Sequence, residues 1–179
     1  YGDQAWASFR QFGTSCRANL GYDESNGLNF NAEHFPCEFM KICGGDFREA
    51  KRAPQTNGLL RALPTARASN EMFPALDVDS TVAVLGRVPY VDAMFQPTFA
   101  GGGLDTLYTM RTPAANSSFN NKPVAFRYFD PDPASPQGPI AIFGFSYHLL
   151  KPGSGEERTG VHGMARSMVD WFRSHEGGG

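Results

Sequence analysis

The feature that most constrains the fold is an aromatic segment near the end of the chain. Residues 140–150 read IAIFGFSYHLL, with Gly138-Pro139 before them and Pro152-Gly153 soon after them. β-Branched and aromatic residues between such breakers are typical of a β-strand. The pattern therefore predicts a strand over residues 140–150.

The two faces of this predicted strand differ, because successive side chains of a strand point to opposite sides of the sheet. Burial of a large apolar side chain is worth about 1.5–3 kcal/mol, so the more apolar face is expected to lie in the core. That face carries Ala141, Phe143, Phe145, Tyr147 and Leu149. The opposite face has small or polar residues in its middle, and we predict a binding site there.

Three further strands are predicted upstream. Residues 123–129 are expected to form an antiparallel hairpin with the aromatic segment, through a nine-residue linker that contains three prolines. Residues 77–86 and 104–111 are also rich in β-formers. The polar residues 112–121 are expected to form a loop.

The last predicted element is an amphipathic helix over residues 161–174. One helical stripe is apolar and contains Val161, Met164, Met168, Trp171 and Phe172. We expect this helix to pack across the sheet. Gly163 lies inside it, at a cost of about 1 kcal/mol relative to alanine.

The predicted fold class is therefore α+β. It comprises a mainly antiparallel sheet of about four or more strands with the C-terminal helix packed on it, preceded by irregular helical segments near residues 4–12 and 35–45. The chain, 1–179, is expected to be a single domain. We expect an irregular or helical N-terminal part over 1–75, the sheet and helix over 76–175, and a flexible glycine tail over 176–179.

Composition limits the function classes. The net charge of −2 at pH 7 gives no basic surface of the kind that binds nucleic acid. The sequence contains no run of about 18 apolar residues, so we expect no transmembrane segment. Fifteen phenylalanines indicate an aromatic-rich core of a soluble domain. The chain does not begin with Met, so we expect the mature part of a processed precursor, organellar or secreted.

One metal site is conceivable from the cysteines. Cys16, His34, Cys37 and Cys43 form a Cys3His set of the kind that holds zinc. The spacing lacks paired Cys-x2-Cys elements, which favours free buried cysteines, or one disulfide from Cys16 to Cys37 or Cys43. A disulfide would indicate an oxidising compartment.

A candidate ligand site lies on the predicted hairpin. Ser146 and His148 point the same way in a regular strand, and Tyr128 and Arg127 on the neighbouring strand complete the polar set that we assign to ligand binding. The segment Gly144–His148 resembles part of a hydrolase nucleophile elbow, but it lacks the closing glycine and the strand-to-helix turn that the elbow requires. A histidine bonded to a loop is the structural alternative.

No complete catalytic constellation is visible, which favours a non-catalytic accessory or interaction subunit of a larger assembly, with one or more protein partners. The alternative is a small hydrophobic-ligand-binding protein, or one with lyase or isomerase chemistry, whose aromatic pocket lies between sheet and helix. A secreted hydrolase is the second alternative.

Overall fold

The computed structural model describes residues 50–53, 55–89, 91–94, 104–130, 132 and 138–175. The elements in chain order are β1 (Ala50–Arg52), a 3-10 helix (Gln55–Asn57), β2 (Arg61–Pro64), α1 (Ala66–Asn70), β3 (Leu76–Asp77), β4 (Asp92–Met94), β5 (Leu104–Arg111), β6 (Pro123–Tyr128), β7 (Ile140–Phe143) and α2 (Gly160–His175). The expected N-terminal helices and the glycine tail lie outside the described residues.

The main sheet is antiparallel and has five strands in the order β3–β2–β5–β6–β7, while β1 and β4 pair in a separate two-stranded sheet. The helix α2 packs its apolar stripe on the core, with Met164, Met168 and Trp171 buried. The α+β fold with a C-terminal amphipathic helix is therefore confirmed. Within the described residues, none of the helices is long and apolar enough to cross a membrane.

The hairpin β5–β6 is the centre of the sheet. The strand β5 has the bounds predicted from its β-formers, and all six residues of β6 are buried. The pairing shifts register around Tyr108, which explains why the alternation of β5 is only partial in the sequence. The predicted loop after β5 is present, and Asn120 fixes it by accepting from the amide of Thr112 at 2.8 Å.

The aromatic segment forms a shorter strand than predicted, because β7 ends at Phe143. Ala125 lies opposite Phe143, so Phe145 would fall opposite Pro123, the first residue of β6. Proline has no N–H to extend a ladder, and β6 does not continue beyond it. Residues 144–149 turn away instead, although Phe145 is still fully buried.

The strand predicted over residues 77–86 is wrong for most of its length, since β3 covers only Leu76–Asp77. The side chain of Asp79 accepts hydrogen bonds from the amide and the hydroxyl of Thr81, at 2.9 and 2.6 Å. Such local side-chain bonds compete with strand pairing. The amides of Val82 and Ala83 then bond back to the Asp79 carbonyl and close a turn.

An interior strand, β2, was not predicted. It has four residues and pairs with β3 on one side and β5 on the other. It ends at Pro64, and Thr65 caps the following helix α1 by accepting from the amide of Ala68. So short a segment next to proline carries no clear strand pattern, and its pairing partners supply its conformation.

The start of α2 rests closely on the loop before it. A Cβ on Gly163 would lie 2.3 Å from the carbonyl carbon of Arg158, so only glycine allows this approach. The Arg158 guanidinium then folds back along the helix and donates to Ser167 at 3.1 Å and to Asp170 at 2.6 Å. This contact fixes where α2 begins, and therefore the position of its first turn.

Candidate functional site

An open pocket of about 530 Å³ lies where the turn after β7, the loop after β3 and the first turn of α2 meet. Its volume is in the range of small-molecule sites. The lining residues are Asp79, Val82, Ser146, Tyr147, His148, Leu150, Pro152, Val161 and His162.

Backbone hydrogen bonds bring these three segments together. The amide of Asp79 donates to the carbonyl of Leu149 at 2.9 Å, and the amide of His162 donates to the carbonyl of Pro152 at 2.8 Å. The first bond ties the loop after β3 to the turn after β7. The second ties α2 to the chain that leaves this turn, so the walls of the pocket are held by the main chain.

Ser146 and His148, predicted to point the same way in a regular strand, form a hydrogen-bonded pair in the structure. The Oγ of Ser146 lies 2.7 Å from Nδ1 of His148. The pair sits in a turn closed by a bond from the Leu150 amide to the Tyr147 carbonyl, not in a continuing strand. Within the described residues the His148 ring makes this one hydrogen bond. In an enzyme, a histidine that activates a serine is usually also held by a third group on its other ring nitrogen, and no such group is found among the described residues.

Asp79 supplies a fixed negative charge on the pocket wall. The hydrogen bonds from the Thr81 hydroxyl and amide lower the pKa of Asp79 below its usual value of 3.8, and the charge of Lys151 acts in the same direction. The carboxylate is therefore ionised at neutral pH.

One wall of the pocket, Tyr147, belongs to an aromatic cluster with Phe143 and Phe145. The ring of Tyr147 packs edge-on against Phe143 and Phe145, with ring centroids 5.4 and 6.0 Å away. Burial raises the pKa of Tyr147 to about 12, so its phenol is neutral under ordinary conditions. The apolar face predicted for residues 141–149 thus forms a cluster that includes a pocket wall.

The other two predicted ligand residues, Arg127 and Tyr128, lie in the core and do not line this pocket. The guanidinium of Arg127 is 2 % exposed and forms ion pairs with Glu71 and Asp105, the latter at 3.0 Å. It also lies 5.7 Å from the ring centre of Phe73 and 5.2 Å from that of Trp171. The structure therefore separates the predicted set into a pocket pair and a core ion-pair network.

The charge of Arg127 lowers the pKa of its partner Glu71. Burial alone raises the pKa of Glu71, but the hydrogen bond and charge of Arg127 outweigh it, and the net pKa lies below the usual value of 4.5. Glu71 therefore remains ionised beside the guanidinium at neutral pH. This arrangement joins β5, β6 and α2 to Glu71, the residue that follows α1.

The predicted zinc set cannot be assigned a geometry. Cys16, His34, Cys37 and Cys43 all lie outside the described residues. Within the residues that are described, no group of three or more His, Cys, Asp or Glu side chains could hold a metal ion.

A second surface feature adjoins the pocket. Residues 79–87, named the apolar loop below, expose Val82 by 50 %, Val84 by 99 % and Leu85 by 40 %. The loop is held by bonds from the Ala83 amide to the Asp79 carbonyl at 2.9 Å and from the Gly86 amide to the Ala83 carbonyl at 2.7 Å. Ala83 itself is buried. Val82 belongs to both features, so the loop and the pocket form one continuous surface.

Sequence reasoning missed most of this surface. The sequence pattern predicts a strand over residues 77–86, and it gives no reason to single out His162. The available local signal was the Asp79-Ser80-Thr81 sequence, which is typical of a side-chain-capped turn. No local pattern indicates that this turn meets residues 146–152 and α2.

The comparisons with known proteins give no family or relative. A scan against protein-family models, a search of curated proteins and a search of solved structures each return no significant match.

Proposed function

We propose that the protein is a non-catalytic interaction subunit and that a protein partner binds its apolar loop. The observation that supports this proposal best is Val84, an apolar side chain that is 99 % exposed on a loop fixed by its own backbone hydrogen bonds. Single exposed apolar residues are common on protein surfaces, but here three lie within four consecutive positions.

The physical gain from covering this loop is substantial. Full burial of one valine or leucine side chain is worth about 1.5–3 kcal/mol. A loop that is already ordered loses little conformational entropy when a partner binds, so more of this gain appears as affinity.

The chemistry of the pocket agrees with a role in binding. Ser146 and His148 are paired, but among the described hydrogen bonds none orients the histidine from its other side. A hydrolase therefore receives no further support from the geometry.

The proposal is tested by site-specific photo-crosslinking in extracts of the source organism. A benzoylphenylalanine at position 84 is expected to form a covalent adduct with one partner, identified by mass spectrometry. The same probe at Asn116, which is exposed in the polar loop after β5, is the matched control and is expected to give no such adduct. Replacing Val82 and Leu85 with serine in the position-84 protein should lower the adduct yield about tenfold, through lost apolar burial.

Three results would contradict the proposal. These are the absence of any adduct at position 84, the same adducts from positions 84 and 116, and an adduct between position 84 and another segment of this chain. The last result would show that another segment of this chain, and not a partner, covers the loop.

A further inference from the structure

We infer that the pocket beside the apolar loop is a binding site for a small amphipathic amine, a molecule with one ammonium group on a short apolar body. The inference goes beyond the proposed partner and does not depend on it. It rests on the charge, the hydrogen-bonding atoms and the apolar surface of the pocket wall.

The charge of the wall favours a cation. Among the described lining residues, Asp79 is the one acidic side chain, and none is lysine or arginine. Thr81 bonds to Oδ1 of Asp79, and within the described part of the chain no hydrogen bond reaches Oδ2, which can therefore face a ligand. Lys151 lies close enough to act on Asp79 but does not line the pocket.

The wall also carries side-chain atoms that can accept hydrogen bonds from an ammonium group. Ser146 Oγ and Nδ1 of His148 are already hydrogen-bonded to each other, and when Nδ1 carries the proton of this bond, Oγ and Nε2 of His148 can both still accept from an ammonium group. A ring nitrogen of His162 adds a further polar atom to this part of the wall. An ammonium group has three donors and no acceptor, which matches this set. A carboxylate in the same place would face the fixed charge of Asp79.

The remaining wall suits an apolar body. It is formed by Val82, Leu150, Pro152 and Val161, with the ring of Tyr147 beside them. An aromatic ring also attracts a cation through its π face.

The experiment compares three ligands of nearly the same shape by NMR titration at neutral pH. They are 2-phenylethylamine, 2-phenylethanol and 3-phenylpropionate, which carry a positive charge, no charge and a negative charge. The amine is expected to bind about fivefold to tenfold more tightly than the alcohol, and the acid most weakly. The shifted resonances should be those of Asp79, His148 and His162.

Three variants assign the preference to the carboxylate. Asp79→Asn keeps an oxygen for the Thr81 turn but removes the charge, so amine and alcohol should then bind equally. Lys151→Gln removes a competing cation and should tighten amine binding about twofold, the size of a weak surface charge effect. Glu156→Gln removes an exposed carboxylate that does not line the pocket, and it should change nothing.

The inference is overturned if none of the three ligands binds at millimolar concentration, if the acid binds as tightly as the amine, or if the amine preference survives in Asp79→Asn. It is also overturned if the shifted resonances lie away from the pocket. None of these results affects the crosslinking test of the apolar loop, so the two proposals can fail separately.

Discussion

The Arg127→Met variant is expected to lose about 3 kcal/mol of unfolding free energy, because removing the buried guanidinium leaves Glu71 and Asp105 with the exposed Arg67 as their remaining described cationic partner. The guanidinium is 2 % exposed, contacts Glu71 and Asp105 and lies against two aromatic rings. Methionine fills part of the same space without charge. The loss falls at the lower end of the range for buried pairs, since both carboxylates partly reach solvent.

Urea denaturation followed by circular dichroism measures this loss. The matched control is Arg67→Met, because Arg67 pairs with the same two carboxylates but is 66 % exposed. That variant should lose less than about 1 kcal/mol, as surface pairs do. Equal losses in the two variants, or an Arg127→Met protein as stable as the parent, would show that the buried network does not hold the fold together.

The Gly163→Ala variant is expected to be less stable by about 1–3 kcal/mol, the usual cost of overpacking. Helix propensity alone predicts the opposite, a gain of about 1 kcal/mol. The added Cβ would lie 2.3 Å from the carbonyl carbon of Arg158, so the helix or the preceding loop must shift.

Thermal and urea unfolding distinguish these outcomes. Ala165→Gly, at an exposed position of the same helix, measures the propensity alone and should cost about 1 kcal/mol. A Gly163→Ala protein that is more stable than the parent would mean that α2 does not approach the Arg158 loop as described.

The parts of the fold that could be predicted are those decided by local pattern. The helix α2 follows from a stripe of five apolar residues, and β5 follows from β-formers placed after a glycine run. In both, the side chains that specify the element are close together in sequence. The hairpin of β6 and β7 could also be predicted, because proline and glycine mark its ends.

The parts that could not be predicted depend on distant segments. The strand β7 stops at Phe143 because its partner strand begins at Pro123, which the composition of residues 140–150 does not reveal. The strand β2 exists because β3 and β5 lie on either side of it. The turn at Asp79 could have been inferred locally, but the β-branched residues after it gave the stronger signal.

The candidate site divides in the same way. Ser146 and His148 could be identified as a pair because two-residue spacing keeps them together in a strand and also in the observed turn. Asp79 and His162 join them only through the backbone contacts that assemble the pocket. Arg127 was grouped with them as a polar residue on the neighbouring strand, and only the packing of Phe73 and Trp171 around it shows its place in the core.

Hydrogen exchange of the free protein shows whether the apolar loop is a preformed surface, on which the proposed function depends. The amides of Ala83 and Gly86 donate within the loop, so they should exchange about tenfold or more slowly than in an unstructured chain. Protection of this size would show that the loop holds one conformation before any partner binds. Exchange of both amides at the rate of an unstructured chain would mean that the loop has no fixed conformation to present to a partner, and the proposed preformed surface would be ruled out.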